Sequence, residues 1–69
     1  MPYEDTLAIR LRVERARVKQ TQKQVAEATD ITTTNLCHYE AGKMTPTLQT
    51  LAKLADYYGC SIDYLVGRE

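Results

Sequence analysis

Sixty-nine residues with two cysteines, one histidine and nine positive charges against nine negative describe one small domain spanning the chain, and at this length folding buries only about 60% of the surface an unfolded chain exposes. Cys37 and Cys60 are too few and too far apart for a disulfide framework, and His38 alone cannot complete a zinc site of ordinary ligand count, so neither metal nor cofactor is expected. No run approaches the roughly 20 apolar residues of a membrane span, and Met1-Pro2-Tyr3-Glu4-Asp5 is not the start of a secretory leader, which predicts a cytoplasmic protein with reduced thiols.

Leu7, Leu11 and Val18, with Arg15 on the same face, predict a helix from about Tyr3 to Val18. A second apolar stripe, Ile9, Val13 and Ala16, predicts contact with a second neighbour. Thr21 is placed to cap a helix from Gln22 to about Ala28, with Val25 and Ala26 inward. Asp30 then stands where the chain must turn sharply, and Asp tolerates left-handed backbone better than most residues. Thr32 caps a third helix from Thr33 to about Glu40, stopped by Ala41-Gly42-Lys43. After the loop Met44-Thr45-Pro46, Thr47 caps a fourth helix with Leu48, Leu51, Ala52, Leu54, Ala55 and Tyr58 as its inward stripe and Gly59 at its end. Ser61 caps a last short helix, Ile62 to Val66, and Cys60 packs at the corner before it. Ile31-Thr32-Thr33-Thr34 is β-prone, but its neighbours on both sides read as helix. The expected architecture is all-α, a compact bundle of five helices.

Between Gln22 and Glu40 the chain reads short helix, tight turn, second helix, the spacing of a helix-turn-helix that enters the major groove of DNA. Ala26 is small where the two helices cross, Ile31 plugs the turn, and Leu36 anchors the second helix. With Leu36 and Tyr39 inward, helical geometry puts Thr33, Thr34, Cys37 and His38 on the outer face. Threonine can donate, accept or offer its methyl to thymine, and histidine can donate to N7 or O6 of guanine. Contacts to the DNA backbone are expected from Thr21, Gln22 and Lys23 at the start of the second helix, from Asn35, and from Lys43.

The charge distribution limits this picture. Residues 1–23 hold six basic and three acidic side chains, residues 24–42 hold Glu27, Asp30 and Glu40 alone, and residues 43–69 balance three against three. Non-specific affinity for DNA should therefore be modest. The series Arg10, Arg12, Arg15, Arg17, Lys19 and Lys23 reads mostly as a solvated helix face, with Arg15 the exception and Lys23 near a phosphate.

The residues Thr21-Gln22 with Val25-Ala26, Ile31-Thr32 with Leu36, Tyr39-Glu40-Ala41-Gly42-Lys43 with Pro46, Thr47 with Leu51 and Leu54-Ala55, and Ser61-Ile62-Asp63-Tyr64-Leu65, taken in register, resemble the phage repressor and Cro-type helix-turn-helix regulators. The resemblance covers about residues 7–67 and implies a lambda-repressor-like DNA-binding domain in a bacterial or phage-encoded, nucleoid-associated protein. It implies that Gln22 opens the second helix on a phosphate and often a base, that Thr33, Thr34 and His38 read bases with Cys37 close by, and that Lys43 touches a phosphate. It also implies a buried ion pair between Arg15 and Glu40 that orients the recognition helix, as a lone buried charge would be uncompensated. Gln20, Glu14 and Asp30 depart from the family's usual leucine, apolar residue and glycine.

The function expected is a sequence-specific regulator of transcription, a repressor acting as a homodimer on a pseudo-palindromic operator, since one short helix reads too few base pairs alone. Tyr57, Ile62, Tyr64 and Val66 are the candidate dimer surface. The alternative is a protein-interaction module, antitoxin-like or co-regulatory, with little direct DNA binding, which the zero net charge favours. No paired carboxylates, activated nucleophile or phosphate-cradling glycine loop suggests an enzyme, and no small-molecule ligand is evident.

Overall fold

The computed structural model describes residues 3–68, with side chains from residue 5 onward. Its helices are α1 (Tyr3–Arg17), α2 (Gln22–Thr29), α3 (Thr33–Glu40), α4 (Leu48–Tyr58) and α5 (Ile62–Leu65), and no strand occurs among the described residues. None of these helices is long and apolar enough to cross a membrane.

Helices α2 to α5 each start on a hydroxyl cap in extended backbone: Thr21, Thr32, Thr47 and Ser61 accept from the backbone N–H three residues on, satisfying a donor that the helix itself cannot. The ends are as uniform as the starts. One residue in left-handed conformation follows each helix, Lys19, Asp30, Gly42, Gly59 and Gly67. The next N–H then bonds back to the fifth residue before it: Gln20 to Arg15, Ile31 to Ala26, Lys43 to His38, Cys60 to Ala55 and Arg68 to Asp63, at 3.4, 3.0, 2.9, 3.0 and 2.8 Å. This closure satisfies carbonyls that the last turn leaves open and reverses the chain within two or three residues.

Leu7, Leu11, Val25, Leu36, Leu54 and Leu65 are the largest fully buried side chains, each contributing about 2 kcal/mol through burial. α3 packs against both α1 and α2, α1 also against α5, and α4 against α2 and α5. The recognition-type helix is thus held from two sides.

Two expected apolar surfaces are not buried. Ile9 and Val13 on α1 stay 42% and 50% exposed, because α1 meets α3 and α5 through its Leu7, Leu11 and Glu14 side and no neighbour covers the other stripe. Leu48 is 71% exposed: it opens α4 in register with the inward stripe, but the buried members of that stripe begin at Leu51. Pro46, in contrast, is buried.

Candidate nucleic-acid interface

α3 separates two faces at single-residue resolution. Leu36, Tyr39 and Glu40 are buried, Thr33, Thr34 and Cys37 are exposed, and His38 is half-buried. The period of 3.6 residues makes 33, 34, 37 and 38 one continuous strip. Thr32 caps the helix from below through Asn35 N–H at 3.1 Å, and Asn35 itself is half-buried. The strip is polar and carries no formal charge when His38 is neutral.

Its distal end is clamped by α1 and α2. Arg15 Nε donates to Glu40 Oε1 and Oε2 at 3.1 and 2.9 Å, with the Glu40 side chain 2% exposed and that of Arg15 25% exposed. The hydrogen bond to Glu40 raises the pKa of Arg15 above its ordinary value, its burial opposing this. Gln22 Nε2 also donates to Glu40 Oε1, at 3.1 Å, and Arg12 Nη1 donates to the Glu40 carbonyl at 2.8 Å. Three donors from two other helices thereby converge on the last residue of α3.

These contacts place the start of α2 beside the end of α3. Thr21 and Gln24 form a reciprocal capping box, Thr21 Oγ1 accepting from Gln24 N–H at 3.1 Å and Gln24 Oε1 accepting from Thr21 N–H at 2.9 Å. By helix geometry the N–H groups of Gln22 and Lys23 remain without intrahelical partners, a setting that favours an anion. Lys23 and Lys43 are exposed, and Lys43 directly follows α3 in the closing turn. One edge of the molecule therefore presents the neutral strip of α3 next to a helix N-terminus and lysines.

Arg12 and Arg17 on α1 are exposed, as a mostly solvated face requires, with the Arg17 side chain 56% exposed, yet the arginines of this helix also make defined bonds. Arg10 stacks over the Tyr64 ring at 4.6 Å and donates to the Tyr64 carbonyl, while Arg17 bonds Glu14 Oε1 and, through Nη2 at 2.7 Å, the Tyr58 carbonyl at the end of α4. Glu14 is buried, and its second oxygen accepts from Tyr64 Oη at 3.3 Å. Burial, then the charge of Glu14, raises the pKa of Tyr64; the hydrogen bond to Glu14 raises that of Arg17. The departures at Glu14 and Gln20 are explained together: Glu14 ties α1 to α5, and Gln20 Oε1 accepts from Tyr57 Oη on α4. Arg12 is the residue that sequence reasoning missed, because only its hydrogen bond to the Glu40 carbonyl brings it to the edge of α3.

Tyr57, Ile62, Tyr64 and Val66 are all half-buried against the core of their own chain. A surface groove lined by Ala28, Thr29, Asp30, Lys53, Asp56 and Tyr57 includes no residue of α3 or of the Lys43 turn.

A helix-turn-helix family model matches residues 11–65. Over 64 residues the chain is 39% identical to the HTH-type transcriptional regulator ImmR of Bacillus subtilis (strain 168), covering 93% of this chain and 50% of that protein. Over 59 residues it is 41% identical to the cryptic phage CTXphi transcriptional repressor RstR of Vibrio cholerae serotype O1, covering 86% of this chain and 53% of that protein. The chain spans about half the length of these curated relatives. No solved structure is significantly similar to it.

Proposed function

The chain belongs to the helix-turn-helix family of phage repressor and Cro-type regulators, and from that membership we propose that it binds double-stranded DNA as a transcriptional repressor. The observation that carries the reading is the division of α3, whose Leu36, Tyr39 and Glu40 are locked into the core while Thr33, Thr34, Cys37 and His38 form one outward strip. Thr33, Thr34 and His38 read base edges, with Cys37 beside them. The N-terminus of α2 at Thr21, Gln22 and Lys23, together with Asn35, Lys43 and Arg12, positions the phosphates.

The protein acts as a homodimer on a pseudo-palindromic site with half-sites about 34 Å apart. The surface offered to a second copy is the partly exposed set Tyr57, Ile62, Tyr64 and Val66, with the hydroxyls of Tyr57 and Tyr64 held by Gln20 and Glu14. Arg15 and Arg17 are paired with the carboxylates of Glu40 and Glu14, so part of the N-terminal positive charge is compensated within the fold and non-specific attraction for DNA is modest.

The test is an electrophoretic shift of random genomic duplexes over a salt series, with light scattering of the free and bound protein. A retarded complex that weakens with salt and contains two chains is expected. No shift even at low salt, together with a stable complex with another protein, would instead favour an interaction module, and a bound monomer would remove the dimer.

A further inference from the structure

Met44 makes the one hydrogen-bonding contact to a ring nitrogen of His38 among the described residues: Sδ lies 3.3 Å from Nδ1. The two side chains come from different segments. His38 is half-buried in the last turn of α3, and Met44, 39% exposed, follows the turn that closes it. That turn is braced by the bond from Lys43 N–H to the His38 carbonyl at 2.9 Å, by left-handed Gly42 and by buried Pro46 beyond it. Met44 is thus presented to the ring by a closed turn.

A neutral imidazole has one N–H and one lone pair, and a thioether sulfur can accept but has no hydrogen to give. Only one tautomer satisfies the contact, with the proton on Nδ1 and the lone pair on Nε2. A neutral histidine side chain in water favours the Nε2–H form, so the acceptor at Nδ1 has to outweigh that preference, and without it the ring returns to Nε2–H. We infer that Met44 holds His38 in the Nδ1–H tautomer and thereby sets the base that His38 reads. Nε2 then accepts from the exocyclic amine of adenine or cytosine and opposes N7 and O6 of guanine, which are acceptors too. This inference rests on the DNA-reading role proposed above and reverses the sequence-based expectation of a donor to guanine. Thr33 and Thr34 make no such choice, because a hydroxyl rotates to donate or accept. His38 is the position at which the strip has a fixed polarity, and Met44 is its positioning residue.

The tautomer can be read without DNA, from long-range nitrogen–proton correlation spectra of the full chain at a pH where the imidazole is neutral. The wild type should show a protonated Nδ1, and Met44→Leu, which keeps the bulk but removes the acceptor, should shift the population towards Nε2–H. An unprotonated Nδ1 in the wild type, or a spectrum unchanged in Met44→Leu, overturns the role of Met44. In a selection from random duplexes, the base position that loses preference in His38→Ala should carry adenine or cytosine with the wild type. Met44→Leu should erode discrimination against guanine there by about tenfold. Guanine at that position with the wild type, or an unaltered preference in Met44→Leu, overturns the base-reading inference. If the wild type binds no duplex, the functional reading itself falls and the base-reading inference with it, and the spectra then decide the tautomer alone.

Discussion

Arg15 and Glu40 stand 25 residues apart in sequence and meet through two hydrogen bonds from Nε, at 3.1 and 2.9 Å. The pair joins α1 to the last residue of α3, so it fixes the angle at which the outward strip of α3 is held. Glu40 at 2% side-chain exposure cannot recover water if Arg15 is lost. Arg15→Met should therefore destabilise the fold by about 3 kcal/mol, the low end for a broken buried pair because Arg15 keeps partial exposure and Gln22 still donates to Glu40. Urea unfolding of the parent and variant measures this. Equal midpoints would mean that the pair contributes orientation but no stability.

Tyr58 is 3% exposed, and its hydroxyl has no hydrogen-bond partner among the described residues. Removing an unsatisfied buried hydroxyl restores the cost of its desolvation, so Tyr58→Phe should raise stability by about 1 kcal/mol at neutral pH. Burial first, then the charge of Glu40, also raises the pKa of Tyr58. The folded state holds this proton after the unfolded chain has lost it, near about pH 10. The associated stability is fully present below that pH and lost as pH rises above it, by up to about 1.4 kcal/mol per unit. Denaturant titrations between neutral and alkaline pH should show the decline, and Tyr58→Phe should flatten it. An identical decline in both proteins would assign it elsewhere.

Lys19 and Asp30 close their helices at φ 57°, the conformation that glycine supplies at the ends of α3, α4 and α5. A side chain in left-handed backbone strains its Cβ against the following carbonyl, while glycine costs more chain entropy on folding. At Lys19 the strain exceeds the entropy, so Lys19→Gly should stabilise by roughly 0.5–1 kcal/mol, and Asp30→Gly by less, because Asp tolerates this backbone better. Because the two turns are separate, the double variant should be additive in thermal unfolding. A destabilised Asp30→Gly would show that the carboxylate contributes more to its turn than its backbone strain costs.

The starts and stops of the helices were legible because each is a local event: Thr21, Thr32, Thr47 and Ser61 cap by reaching three residues along the chain. The two faces of α3 followed for the same reason, since the period of the helix relates Leu36 and Tyr39 to the residues between them. Exposure of Leu48, Ile9 and Val13 was not legible, because periodicity shows which residues share a face and not whether a neighbour covers it. The bonds that the arginines of α1 make were not legible, on the same ground. Their acceptors are the carbonyls of Glu40, Tyr58 and Tyr64, backbone groups that every residue has and that leave no trace in side-chain identity. Lys19 carried no signal of its left-handed backbone, whereas Asp30 did. Within the candidate site, Arg12 and Met44 depend on such non-local contacts and emerge from the structure alone.

Thr33 and Thr34 are exposed on α3, while Lys43 lies exposed in the turn that follows it, so substitutions at these places should test DNA binding with little effect on folding. Thr33→Ala and Thr34→Ala should each cost about 1 kcal/mol on the preferred duplex, the low end expected for a lone hydroxyl contact, and relax preference at one base position. On unrelated duplexes they should change nothing, since the lost contact is to a base edge. Lys43→Ala should weaken preferred and unrelated duplexes alike and lower the slope of log affinity against log salt by about 0.9, the loss of one phosphate contact. Binding isotherms on both kinds of duplex over a salt series separate the two classes. If the threonine variants also lower affinity for every duplex, their hydroxyls serve phosphates, and the strip of α3 positions the protein on the DNA backbone rather than reading sequence.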